Sequence, residues 1–195
     1  MVFSSLVFLF VFLPITLIIY YIFPNTIIRN TVLLISSLIF YAWGEPVYII
    51  LMVLTIILDY LFGIAMDKLR DRANSMKAVF IVAVVINLAA LCFFKYYSFI
   101  VENVNKIFSL NIKDPNLPLP VGISFYTFQA MSYLIDVYWG NVSAQKNLID
   151  FSTYITMFPQ LVAGPIVQYG DIAKQLRTRK ETLDKFVNGI QWFII

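Results

Sequence analysis

The chain has 195 residues, 61% of them hydrophobic and 13% charged, and its apolar runs exceed the core elements of a soluble domain, which marks an integral membrane protein. It contains no histidine and a single cysteine, so these residues hold no Ser-His-Asp triad, histidine base, histidine-ligated metal or internal disulfide. A formal net charge of +3 reports loop charge and orientation in such a protein and is no sign of nucleic-acid binding.

The first apolar run, Ser5 to Phe23, has no basic residue before it and no small-residue cleavage site after it. It reads as a retained helix rather than a secretory signal. Thr31 to Trp43 is short for a crossing and ends at "WGEP", where Gly44 breaks a helix and Pro46 suits the first turn of the next. It is either a tilted short span or a half-helix. Val47 to Met66, Ala78 to Ile100 and Leu119 to Trp139 can each cross a hydrocarbon core of about 30 Å at about 1.5 Å per residue. Tyr20, Tyr21, Tyr41, Trp43, Tyr96, Tyr97, Tyr138 and Trp139 lie at the ends of these runs and mark membrane interfaces. Cys92, inside "LAALCFF", is expected to be buried as a small hydrophobe. Lys95, in "CFFKYYSF" near a helix end, is expected to snorkel.

Basic residues gather at Lys68, Arg70, Arg72 and Lys77, and again at Lys174, Arg177, Arg179, Lys180 and Lys185, and the positive-inside rule puts both groups in the cytoplasm. The loop "VENVNKIFSLNIKDPNLP" balances Lys106 and Lys113 against Glu102 and Asp114 and belongs outside, with "DPNLPLP" as a rigid turn-former. Counting crossings from the first basic loop brings "GNVSAQKNLID" back inside. A full crossing by Phe151 to Tyr169 would then carry the five later cations outside. The count favours a segment that enters and returns over an ordinary proline-kinked span. Pro159 and the Gly164-Pro165 pair break this segment, and freed backbone groups at membrane depth need protein or water to satisfy them. A new apolar run starts at Phe186 in "FVNGIQWFII", too short for a span; unless this tail rests at the interface, the chain is expected to be the front part of a longer protein.

The expected architecture is therefore all-α integral membrane: one membrane domain over 1–195, a multi-span bundle with spans near 5–23, 31–43, 47–66, 78–100 and 119–139, a broken re-entrant or kinked segment at 151–169, and a partial span from 186. Polar residues inside spans need a reason. Asp59 lies roughly 10 Å from the helix end expected at Met66 and shares a face with Thr55 and Gly63, which points to a structural interhelical hydrogen bond with Gly63 allowing close approach. In "PVGISFYTFQAMSYLIDVYWG", Gln129, Ser132 and Asp136 fall at i, i+3, i+7 beside Tyr126 and Tyr133. They form a stripe that should face a cavity or the protein interior, although Asp136 could equally anchor at the interface. No GxSxG, HExxH, phosphate loop or metal-ligating carboxylate cluster is present, so no metal is expected.

The segments "MVFSSLVFLFVFLP", "FYAWGEPVYIILMVLTIILDYLFG", "FFKYYSF", "LPLPVGISFYTFQAMSYLIDVYWG" and "FPQLVAGPIVQY", in this order, resemble the amino-terminal half of bacterial membrane-bound O-acyltransferases. The alginate O-acetyltransferase-like branch, which includes peptidoglycan O-acetylation proteins, is the nearest in look. The resemblance implies a multi-pass protein of the bacterial cytoplasmic membrane whose helices ring a thin centre. It implies an acyl thioester donor, such as acetyl-CoA, with no tightly bound cofactor. It also implies a polysaccharide acceptor, a missing carboxy-terminal half bearing the catalytic histidine, and in many cases a separate periplasmic or extracellular acetyltransferase. On the matching positions it implies only path-lining roles, for Tyr126, Gln129, Ser132, Tyr133, Asp136, Pro159, Gln160, Gly164 and Pro165. This chain alone is then expected to be inactive. A transporter or channel fragment, whose sites are also built from broken helices, and a non-catalytic scaffold are the alternatives.

Overall fold

The computed structural model describes residues 5–113, 118–163, 167–179 and 181–194. All regular structure among them is helical. Phe8–Phe12 is a π-helical turn that runs into α1, Leu13–Ile22. Pro14, within the first turn of α1, can donate no backbone hydrogen bond, and Leu13 N–H reaches back five residues to Phe8, the wide turn that such an interruption produces. Next come α2, Thr26–Gly44, α3, Ile49–Lys68, and α4, Ala73–Phe108. These three are long and apolar enough to cross a membrane. The chain continues with α5, Ile123–Trp139, α6, Leu148–Thr156, α7, Phe158–Ala163, two one-turn helices, α8, Tyr169–Ile172, and α9, Gln175–Thr178, and finally α10, Leu183–Ile194.

Several boundaries differ from those read off hydropathy. The second helix is one unbroken 19-residue element, not a half-helix. It begins well before Thr31 because Asn25 caps it, its side chain accepting from Ile27 N–H at 2.8 Å, and the helix continues through the polar Arg29 and Asn30. α5 is shorter than the apolar run that contains it, since Pro120 and a left-handed Gly122 (φ 76°) keep residues 119–122 out of the helix, with Val121 and Gly122 in a turn. A Cβ at Gly122 would also meet the Leu161 carbonyl oxygen at 3.0 Å. Seventeen residues give α5 a length of about 25 Å, less than a hydrocarbon core of about 30 Å. α4 runs past Ile100 to Phe108, where Ser109 adopts a left-handed conformation and ends it. Cys92 is exposed rather than buried: its neighbour Leu91 takes the inward position on α4, leaving the thiol on the outward face. Asp114 to Leu117, at the head of the expected rigid turn, lie outside the described residues.

The core lies where α3, α4, α5 and α6 meet, around Met52, Ile56, Met66, Tyr133, Leu134, Val137 and Phe151. A smaller aromatic group of Phe8, Phe40 and Phe158 fastens α7 to α2 and the π turn, with ring centroids 5.7–6.0 Å apart. Outward faces carry Phe10, Ile18, Leu61, Val85 and Phe99. That surface suits lipid contact and would be untenable in water.

α6 holds the least expected geometry. It is nine residues long, about 13 Å, yet Asp150 through Thr156 are all buried. Met157 leaves the helical conformation (ψ 111°) and α7 starts afresh with Pro159 in its first turn. The chain then returns beside its own entry point. Arg177 bonds Asp150 at 3.2 Å and Gln145 at 2.9 Å, and Gln145 donates to the Tyr169 hydroxyl at 2.7 Å. Both ends of the 151–169 segment thus lie at one end of the bundle. Arg70, from the first basic loop, reaches the Val137 carbonyl at that same end.

Candidate functional site

The break after α6 frees backbone groups at depth, and two side chains answer them. Phe158 N–H donates to Ser37 Oγ at 3.2 Å. Ser37 lies eleven residues into α2, about 16 Å from its start. The Tyr154 carbonyl, which a continuous helix would pair with residue 158, instead accepts from Gln129 Nε2 at 2.7 Å. The same amide nitrogen reaches Gln160 Oε1 at 3.3 Å, and Tyr154 Oη donates to the Gln129 and Val167 carbonyls at 3.4 and 2.8 Å. An unsatisfied buried amide or carbonyl costs about 1–3 kcal/mol, so Gln129 and Ser37 are what permits a broken helix here.

Of the α5 stripe, the structure brings Gln129 together with Gln160, and Tyr133 against Gly63. Tyr133 is fully buried, its hydroxyl accepts from Gln145 N–H at 3.0 Å, and its ring lies among Phe151, 4.7 Å away, and Tyr169, 5.1 Å away. Tyr126 turns to a different neighbour and lines a cavity of about 180 Å³ with Asp59 and Asn87. Ser132 is half-buried apart from both groups. Asp136 sits half-buried at the helix end, accepting from Asn141 Nδ2 at 3.1 Å. Pro159 is exposed, and Gly164 and Pro165 lie outside the described residues. Lys95 is exposed on α4 with its ammonium 5.6 Å from the Tyr96 ring centroid. Asp59 lies at the middle of α3, about 15 Å from either end, deeper than its distance from Met66 suggested, and accepts from Asn87 Nδ2 of α4 at 2.6 Å.

The bundle end that holds Asp150 carries a polar network that sequence reasoning missed. Asn30 donates to Asp150 Oδ1 at 2.7 Å and to the Leu176 carbonyl at 2.8 Å, while its own Oδ1 accepts from Arg179 at 2.7 Å. Thr153 Oγ1 donates to the Asn30 carbonyl at 3.0 Å. Arg29 and Arg179 each lie 5.2 Å from the centroid of the Tyr20 ring, and both pair with Glu181. Asp150 in the first turn of α6 also meets the positive end of that helix. Beside this network Lys146, Lys174 and Arg177, with Gln145 and Tyr169, line a cavity of about 520 Å³. Three cations around a concave space suit a phosphorylated or carboxylated ligand. Among the described residues no group of three or more His, Cys, Asp or Glu is placed to hold a metal ion. The signal that could have found this network was the isolated polar residue in each apolar context, Asn30 in "IIRNTV" and Asp150 in "LIDF".

No family model matches the chain, and no solved structure matches it. Curated relatives do. A protein named "Probable alginate O-acetylase AlgI" in Pseudomonas aeruginosa is 40% identical over 198 residues, which take in 100% of this chain and 38% of that protein. Its namesake in Azotobacter vinelandii is 39% identical over 198 residues, 100% of this chain and 40% of that protein. A peptidoglycan O-acetyltransferase of Helicobacter pylori is 28% identical over 208 residues, 92% of this chain and 39% of that protein. The resemblance to the alginate O-acetyltransferase-like branch thus extends along the whole chain, which spans about two fifths of the length of these relatives.

Proposed function

We propose that this chain is the amino-terminal portion of a membrane O-acyltransferase that carries acetyl groups across a bacterial cytoplasmic membrane to a cell-envelope polysaccharide, of alginate or peptidoglycan type. The observation that carries the reading is the match to named alginate O-acetylases over the full chain, with a peptidoglycan O-acetyltransferase matching 92% of it. The bundle end with the basic loops is the cytoplasmic one by the positive-inside rule, and the protein crosses the membrane several times. In this reading the cavity lined by Lys146, Lys174 and Arg177 receives the anionic part of an acyl thioester donor, acetyl-CoA being the first candidate. Gln129 and the α6–α7 break, with Gln160, Pro159, Gly164 and Pro165, shape the path from that mouth toward the centre. Tyr126, Ser132, Tyr133 and Asp136 line the α5 side of it.

The resemblance to membrane-bound O-acyltransferases implies a histidine as the residue that activates the acceptor hydroxyl; this chain holds none, and in this reading that role belongs to the part of the relatives that the chain does not span. A separate extracytoplasmic acetyltransferase would receive the acetyl group in systems that need one. Membrane vesicles containing the protein from its complete reading frame, given acetyl-labelled CoA on the cytoplasmic side, should place alkali-labile label on a protein or glycan acceptor. Exchange of Lys174 and Arg177 for Gln should raise the donor concentration needed for half-maximal labelling by about tenfold, the equivalent of about 1.4 kcal/mol. Labelling that is absent with the intact protein, or unchanged by that double exchange, would contradict the assignment of activity or of donor site respectively.

A further inference from the structure

The cations that line the cavity of about 520 Å³ are held in two different ways. Lys146 and Lys174 are exposed, and neither forms an ion pair among the described residues. Their ammonium groups are free to follow a ligand. Arg177 is accessible too, with its side chain 58% exposed, yet its guanidinium is fixed along one edge. Nε donates to Asp150 Oδ2 at 3.2 Å and Nη2 donates to Gln145 Oε1 at 2.9 Å. Both Nη1 hydrogens and the second hydrogen of Nη2 are left without an acceptor among the described residues. The two holders are themselves locked. Asp150, 2% exposed, accepts from Asn30 at 2.7 Å through its other oxygen. Gln145, 6% exposed, accepts from Asn147 N–H at 3.0 Å through the same Oε1, which fixes its amide orientation, and its Nε2 donates to the Tyr169 hydroxyl at 2.7 Å.

Water would satisfy a guanidinium this exposed, so what the two bonds add is orientation. We infer that Asp150 and Gln145 are positioning residues that present the free Nη edge of Arg177 as a fork for a phosphate group on the acyl donor. The inference rests on the donor-site reading above and narrows it. Arg177 also borders a neighbouring cavity of about 340 Å³. Asp150 stands on that wall and repels an anion there, whereas the larger cavity adds Lys146 and Lys174. Two parallel N–H groups match two phosphate oxygens, a geometry that an ammonium lacks. In a thioester the acyl group is uncharged, so the anion recognised lies on its carrier. Three cations against the one carboxylate they touch leave a surplus of about two charges, close to the −1.5 to −2 of a phosphomonoester near neutral pH.

The test is calorimetric binding of CoA, dephospho-CoA and pantetheine to the detergent-purified protein expressed from its complete reading frame, with unliganded melting temperatures to verify folding. Arg177→Gln should raise the Kd for CoA about fivefold and leave that for pantetheine, which has no phosphate, unchanged. Arg177→Lys keeps the charge without the fork and should still weaken CoA about threefold. Gln145→Met removes the acceptor and should weaken CoA about twofold, but add nothing beside Arg177→Gln, as expected of a residue that acts through another. An Arg177→Gln effect that disappears with dephospho-CoA assigns the fork to the terminal phosphomonoester, and one that persists assigns it to the diphosphate; both uphold the inference. No CoA binding, a Kd unmoved by Arg177→Gln, equal weakening of pantetheine, a lysine variant as tight as the native protein, or additive Gln145 and Arg177 effects would each overturn it. Acetyl labelling in vesicles without phosphate-dependent binding would keep the acyltransferase reading and remove this inference, and phosphate-dependent binding without labelling would do the reverse.

Discussion

Gly63→Ala reverses the usual effect of that substitution in a helix. Replacing a helical glycine by alanine ordinarily stabilises by about 0.5–1 kcal/mol, through backbone entropy. At Gly63, in the middle of α3, a Cβ would fall 2.5 Å from the Tyr133 hydroxyl oxygen and 2.9 Å from its Cε1. Tyr133 has little freedom to retreat, with its hydroxyl bonded by Gln145 N–H at 3.0 Å and its ring set 4.7 Å from Phe151 and 5.1 Å from Tyr169. Overpacking of a filled site costs about 1–3 kcal/mol, which outweighs the entropic gain and leaves a net loss of about 1–2 kcal/mol. The melting temperature in detergent should fall by a few degrees. Tyr133→Phe removes the 2.5 Å clash but keeps the ring and strands the Gln145 donor, so Gly63→Ala in that background should cost less than it does alone, a positive coupling of about 1 kcal/mol in a double-mutant cycle. Gly189 in α10, with nothing within 4 Å of a built Cβ, is the control: Gly189→Ala should be neutral or stabilising. Should Gly63→Ala prove as stable as the native protein, the tight α3–α5 seam would be wrong.

Three other outcomes follow from the same geometry. Ser37→Ala removes the side-chain oxygen that accepts from Phe158 N–H at mid-depth and should cost about 1–2 kcal/mol, read as a lower melting temperature with faster amide exchange confined to residues near the α6–α7 break. Asp150→Ala removes the acceptor shared by Asn30 and Arg177 and should cost about 2–3 kcal/mol, whereas Arg177→Ala, whose side chain is 58% exposed, should cost under about 1 kcal/mol. In a Cys92→Ser background, single cysteines at Lys77 and Lys174 should react with an impermeant maleimide from one face of the membrane and a cysteine at Lys113 from the other. Labelling of the Lys77 and Lys174 positions from opposite faces would remove the return of the 151–169 segment.

Much of the fold was legible because lipid exposure makes apolar runs long and continuous, so α3 and α4 could be placed from hydropathy. Helix ends were less legible. Hydropathy stops at Arg29 and Asn30, but the helix does not, since Asn25 supplies the cap and Asn30 finds Asp150. Pro120 and Gly122 shorten α5 although its apolar run continues. Asp59 and the α5 residues were visible as polar letters in apolar text, yet their partners Asn87, Tyr154 and Gln145 are 25 or more, or a dozen, positions away, and no periodicity connects residues across helices. The expectation of a buried Cys92 failed for a related reason: in a membrane bundle an apolar neighbourhood in sequence is as often the lipid face as the core.

The proposed activity is tested most directly by the O-acetyl content of the cell-envelope polysaccharide in cells carrying a deletion of the reading frame that contains this chain. The ester content should fall to background on deletion and return with the intact frame, while a frame carrying Gln129→Leu, which unpins the broken helix, should restore only part of it. Ester content unchanged by the deletion would contradict the proposal.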